Sequence, residues 1–247
     1  MKTIGLIGGM SWESTAEYYR IINQEVNRRL GGFHSAKILL YSVNFEAIES
    51  LMQAGKWDEI GGQMARIAAT LENAGAELVI LCTNTVHKVA ERIDRATTIP
   101  FIHIADATGE EIQRHGLKRV GLLGTRYTME QDFYRGRLAE KFGLHIHIPD
   151  EKARVIVNDV IFNELCKGVI NERAKVQFLH IIESLVAEGA EGIILGCTEI
   201  PLLIKQEESP VPLFDTTRIH ALRALHWALA NAHPSAGEIA GATGGLT

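Results

Sequence analysis

The stretch Gly75-Ala76-Glu77-Leu78-Val79-Ile80-Leu81 returns later in the chain as Gly189-Ala190-Glu191-Gly192-Ile193-Ile194-Leu195. An offset of 114, from 189 minus 75, aligns the two without a gap. Each copy ends in a short aliphatic run with no polar alternation, the pattern of a strand covered on both faces. Each run then enters a polar turn, Cys82-Thr83-Asn84-Thr85 in the first copy and Gly196-Cys197-Thr198-Glu199 in the second. In the gapless register Cys197 falls opposite Thr83, not Cys82. Duplicated turns predict two walls of one site. The unlike pair predicts that the walls do different jobs.

The repeat reaches further. Lys2-Thr3-Ile4-Gly5-Leu6-Ile7-Gly8 matches Lys118-Arg119-Val120-Gly121-Leu122-Leu123-Gly124 at an offset of 116, from 118 minus 2, and Tyr18 then falls on Tyr134. Strand patterns lie at 3–8, 36–43, 78–82, 101–104, 120–124, 144–148, 192–196 and 211–214. Amphipathic helical patterns between them include 14–29, 57–74, 130–141 and 174–188, with a final helix at 221–230. Strand and helix in alternation predict parallel sheets. The expected fold is α/β with two pseudo-symmetric lobes, each a roughly four-stranded parallel sheet flanked by helices, and the active site between them. The expected boundaries are 1–115 for the N-terminal lobe, completed by a helix at 215–231, and 116–214 for the C-terminal lobe. Residues 234–247 are mostly small, with little bulk to offset their own ordering entropy, and a flexible tail is expected there.

With 247 residues, 46% of them hydrophobic and 22% charged, the chain has the composition of an ordinary soluble globular protein. A net charge of −5 gives no support for nucleic acid or an anionic membrane as partner. The N-terminal apolar run is too brief for a signal peptide, and no stretch approaches the ~18 apolar residues of a spanning helix. Cys82, Cys166 and Cys197 form an odd set without a C-x-x-C pair, so neither a disulfide framework nor a structural zinc site is indicated. His145 and His147 share a strand face without a third ligand, and no metal site is expected. The expected location is the cytoplasm.

In open parallel sheets, ligands sit beyond the carboxyl ends of the strands, near the helix N-termini that follow. Asn84, Thr85, Thr198 and Glu199 would open such helices, whose free N–H groups favour a substrate carboxylate. The same termini would shift a neighbouring thiol toward thiolate, although most free cysteines are small buried hydrophobes. A third turn, Gly8-Gly9-Met10-Ser11-Trp12-Glu13-Ser14-Thr15, lacks both the G-x-G-x-x-G spacing and a Walker lysine. Ser11 or Ser14 there is a candidate helix cap, and the turn a candidate third wall. His87, one turn past Thr83, is a candidate to orient a ligand or tune a thiol; a satisfied half-buried histidine is the alternative.

These residues resemble the aspartate/glutamate racemase family. Thr83-Asn84-Thr85 and Gly196-Cys197-Thr198-Glu199 are similar to its two signatures, and Gly8-Gly9-Met10-Ser11-Trp12-Glu13-Ser14-Thr15 with Tyr18-Tyr19 and Ile22-Asn23 resembles its aspartate/glutamate branch. His103-Ile104-Ala105-Asp106-Ala107-Thr108 and Phe214-Asp215-Thr216-Thr217 add to the likeness, which runs to about residue 230. The resemblance implies cofactor-independent racemisation of a small acidic amino acid, aspartate or glutamate. One group removes the α-proton and another supplies a proton to the opposite face. It implies Cys197 and Thr83 as the catalytic pair, substrate binding by Met10, Asn84, Thr85, Thr198, Glu199 and Lys167, no metal, and a homodimer. Two features depart from the family pattern. Thr83 stands where the family has its first cysteine, with Cys82 one residue earlier and expected to face the core. No arginine lies between Ser42 and Leu51, where many members carry one for the side-chain carboxylate. The rival readings are a broad-specificity amino-acid racemase, a hydantoin racemase, a maleate isomerase, an arylmalonate decarboxylase and a non-catalytic amino-acid binder.

Overall fold

The aliphatic runs become short strands: β1 (Ile4–Gly8), β2 (Ile38–Ser42), β3 (Leu78–Leu81), β4 (Phe101–Ile102), β5 (Arg119–Gly124), β6 (His145–His147), β7 (Gly192–Gly196) and β8 (Leu213–Asp215). The computed structural model describes residues 1–231, and the expected tail at 234–247 lies outside them. The strands form two parallel sheets with one topology, ordered β2-β1-β3-β4 and β6-β5-β7-β8. Ile4 pairs with Leu78 in the first sheet and Val120 with Gly192 in the second. The shifts between these pairs are 116 (120 minus 4) and 114 (192 minus 78), the two offsets read from the sequence. The duplication is therefore preserved in strand register.

Helices fill the crossovers. The first, Trp12–Leu30, starts at Ser11, whose hydroxyl accepts the Ser14 N–H, so the serine cap forms as expected. The pattern expected at 130–141 is two helices, Arg126–Glu130 and Asp132–Phe142, because Gln131 between them is extended. The last helix, Thr216–Ala230, follows the second sheet in the chain yet packs on the first. Its Ala221, Ala224, Leu225 and Ala228 meet Tyr18, Ile21 and Ile22 beside Ile4 and Leu6 of β1. The other face of β1 sends Ile7 into a separate cluster with Met64 and Ala68, as strand alternation requires. The second sheet has its own core, with Tyr134 buried as completely as its counterpart Tyr18. Burying each large aliphatic side chain contributes about 1.5–3 kcal/mol. No described helix is long and apolar enough to cross a membrane.

Candidate active site

The segments that follow β1, β3, β5 and β7 converge. They bring Met10, Thr83, Asn84, Thr85, Thr125, Cys197, Thr198 and Glu199 around one chamber of about 30 Å³. Phe45, Met52, Phe162 and Cys166 close its outer side and also line a cleft of about 800 Å³ beyond it. A small buried chamber thus lies at the foot of a broad entrance. Hydrogen bonds between the two repeats frame it: Thr85 Oγ1 lies 3.0 Å from Thr125 Oγ1, and Asn84 Nδ2 donates to Thr216 Oγ1 at 3.1 Å. Thr83 and Cys197, expected on opposite walls, both line this chamber.

Glu199 organises the Cys197 wall. Its carboxylate accepts from Ser11 Oγ at 2.7 Å, from Thr198 Oγ1 at 2.7 Å and from the Cys197 thiol at 3.0 Å. Ser11 reaches it across 188 residues of sequence. The expectation that a helix N-terminus favours the Cys197 thiolate is corrected here. The helix after the turn, Ile200–Leu203, is four residues long and supplies little dipole. Burial, then the Glu199 carboxylate and then Cys166 push the Cys197 thiol well above the usual range, outweighing the Glu199 backbone N–H, which favours the thiolate. The resting group is a thiol that donates to a carboxylate.

Cys82 is fully buried behind the site, packed with Tyr18 and Ile80, and burial raises its thiol pKa. Alternation along the strand accounts for this, and no bulge brings it round. Asn84 precedes a 3-10 turn, Thr85–Val89, in place of the expected helix. Its Oδ1 is buried without a hydrogen-bond partner, while the side-chain donors of Asn84, Thr85 and Thr198 already have protein partners. Lys167 lines the outer cleft, not the chamber. His87 has both ring nitrogens bonded within the protein, so it does not reach a ligand in the chamber. Among the described residues, no cluster of His, Cys, Asp or Glu is placed to hold a metal, and the pair His145 and His147 stays alone on β6.

Two residues were missed by the sequence reading. Cys166 contributes a second thiol to the chamber beside Cys197, raised by burial and by the Glu199 and Glu13 carboxylates. A signal for it existed, because the 114 offset places it on Met52 (166 minus 52), the other sulfur side chain at the chamber mouth. Arg126 lines the outer cleft with Lys167 and brings a guanidinium from the second repeat, where the expected arginine was sought in the first.

The model of the Asp/Glu/Hydantoin racemase family matches residues 7–224. The chain belongs to this family. The crystal structure of a candidate Asp/Glu racemase from Yersinia pestis superposes with a TM-score of 0.87 at 53% identity, covering 93% of this chain and all of that one. An aspartate racemase homologue from Pyrococcus horikoshii gives 0.80 at 37% identity, with coverage of 93% and 100%. The broad specificity amino-acid racemase of Bacillus subtilis is 23% identical over 219 residues, 87% of this chain and 92% of that protein. The two-sheet α/β racemase fold and the amino-acid racemase class read from the sequence are borne out.

Proposed function

We propose that this racemase interconverts the enantiomers of a small acidic amino acid, aspartate or glutamate, with Cys197 as the base for the L-enantiomer. The observation that carries the reading is the chamber itself, with Cys197 and Thr83 on twin turns and the Cys197 thiol hydrogen-bonded to the Glu199 carboxylate. The Cys197 proton passes to Glu199, and the thiolate then takes the Cα proton. The substrate carboxylate sits on the backbone N–H groups of the Thr83 and Cys197 turns, which disperse the enolate-like charge. The buried, unpartnered Asn84 Oδ1 accepts from the α-ammonium. Lys167 and Arg126 in the outer cleft meet the side-chain carboxylate. The opposite face is protonated from Thr83 Oγ. Water restores the threonine proton and relieves Glu199 of its own, so the enzyme ends as it began.

Threonine is a far weaker acid than a thiol, so this mechanism is one-sided. In heavy water, α-proton exchange of the L-substrate is expected to outrun inversion. Thr83→Cys should bring the two rates together, and Cys197→Ser should abolish both, because a serine hydroxyl is not ionised at neutral pH. Proton NMR for exchange and polarimetry for inversion, run on L-aspartate and L-glutamate, measure both. Exchange that never exceeds inversion refutes the one-sided mechanism. Retention of exchange in Cys197→Ser removes Cys197 as base. A cytoplasmic homodimer is part of the same proposal, and exposed Phe33, Leu40 and Tyr41 near the first sheet's β2 edge supply apolar surface for a second copy.

A further inference from the structure

The Thr83 wall carries a tether that its twin lacks. His87 is sealed inside the first repeat, 2% exposed. Its Nε2 accepts the backbone N–H of Ile104 at 3.1 Å, and its Nδ1 lies 2.6 Å from the Thr83 carbonyl oxygen. A backbone N–H only donates and a carbonyl only accepts, so the ring proton sits on Nδ1 and points at Thr83. Burial, with His103 and His220 beside the ring, keeps it neutral, which preserves the Nε2 acceptor. The local backbone bonds of this turn, Thr83 N–H to Leu81 and His87 N–H to Asn84, leave the Thr83 carbonyl to the imidazole. At the offset of 114 the second repeat has Pro201 in place of His87 (201 minus 87), and there the Cys197 carbonyl accepts the Ile200 N–H. One wall is held by its own backbone. The other is held by a side chain anchored to the start of the helix Ile104–Arg114.

We propose that His87 is a positioning residue for protonation at the Thr83 face, its Nδ1–H bond holding the Thr83 carbonyl and so setting the direction in which Thr83 Oγ enters the chamber. The inference rests on the proposed roles of Thr83 and Cys197. Its reach follows from the demands of proton transfer, since a misplacement of ~1 Å costs about a hundredfold in rate. The tether acts on the donor wall alone, and the Glu199 carboxylate and Cys197 thiol make no bond to it. Loss of the tether should therefore slow inversion and spare abstraction.

The test compares His87→Gln with His87→Asn in the heavy-water assay. An asparagine amide N–H takes the place of Nδ1 and keeps the Thr83 bond, whereas a glutamine amide reaches toward Ile104 and loses it. His87→Gln is expected to lower inversion of the L-substrate about 10- to 100-fold while exchange changes less than about threefold. His87→Asn is expected to keep the exchange-to-inversion ratio of the parent. A purely structural histidine predicts equal losses in both rates, and that result in His87→Gln overturns the proposal. Should His87→Gln not fold, His87→Asn decides alone, since a ratio altered about tenfold contradicts a tether the variant retains. Cys197→Ser, measured alongside, separates the two levels: retained exchange there refutes the base, whereas lost exchange with an unchanged ratio in His87→Gln refutes only the tether.

Discussion

Replacing Gly8 with alanine probes how tightly the turn beneath Ser11 and Glu199 is built. A Cβ at Gly8 would lie 2.4 Å from Thr15 Cγ2 and 2.7 Å from Thr15 Oγ1, closer than real carbon contacts. Thr15 is not free to turn aside. Its hydroxyl accepts the Gly9 N–H at 2.8 Å and donates to the Ser11 carbonyl at 2.8 Å. Breaking both bonds costs about 2 kcal/mol, and overpacking adds about 1–3 kcal/mol. Narrowing the unfolded ensemble regains roughly 0.5 kcal/mol. The expected net loss is about 2.5–4.5 kcal/mol, or a fall in Tm of roughly 5–18 °C for a chain of this size. Thr15→Ala removes the same two bonds together with the clashing atoms and should cost about 2–3 kcal/mol. Adding Gly8→Ala to it should then cost less than about 1 kcal/mol, a coupling of roughly 2–3 kcal/mol. Urea unfolding of the four proteins, followed by circular dichroism, measures the cycle. The reasoning is refuted if Gly8→Ala unfolds within about 1 kcal/mol of the parent, or if the two losses simply add.

Three further outcomes follow from the site and the core. Cys82→Ala should lose on the order of 1–2 kcal/mol of stability and keep its turnover; an inactive protein of normal stability would place that thiol in the reaction. Glu199→Gln removes the charge that helps raise the Cys197 thiol, so the alkaline rise of activity should move to lower pH while the maximal rate falls about 10²- to 10⁴-fold; an unmoved pH–rate profile would show that the carboxylate does not govern the thiol. His220, bonded to Tyr18 and the Ile102 carbonyl, is held at about 4 against an ordinary 6.5. The unfolded chain therefore binds more protons between those values, and stability that is full above pH 6.5 is lost as pH falls toward 4. The loss is on the order of 3 kcal/mol for this group, and His87 and His103 add to it in the same direction. Urea midpoints between roughly pH 7.5 and 4.5 should fall more steeply in the parent than in His220→Gln, and parallel curves would remove His220 as a source of acid lability.

The sequence by itself determined the architecture, because strand and helix periodicity are local properties and the duplication is written twice. The offsets of 114 and 116 reappear as strand register, Ser11 caps its helix, and alternation alone places Cys82 behind the site and Thr83 in it. The mismatch of Thr83 with Cys197 was equally legible. Tertiary structure alone decided the state of the groups brought together. The ionisation of Cys197 depends on its burial and on Glu199, whose carboxylate is in turn anchored by Ser11 from the far end of the chain. Cys166 and Arg126 enter through helices whose orientation over the sheet no local pattern records, and Lys167, one residue from Cys166, stays in the outer cleft. His87 reads as a routine histidine until Ile104 folds against it. Hydrogen-bond satisfaction and desolvation are properties of the space around a group, and that space is assembled from residues far apart in the chain.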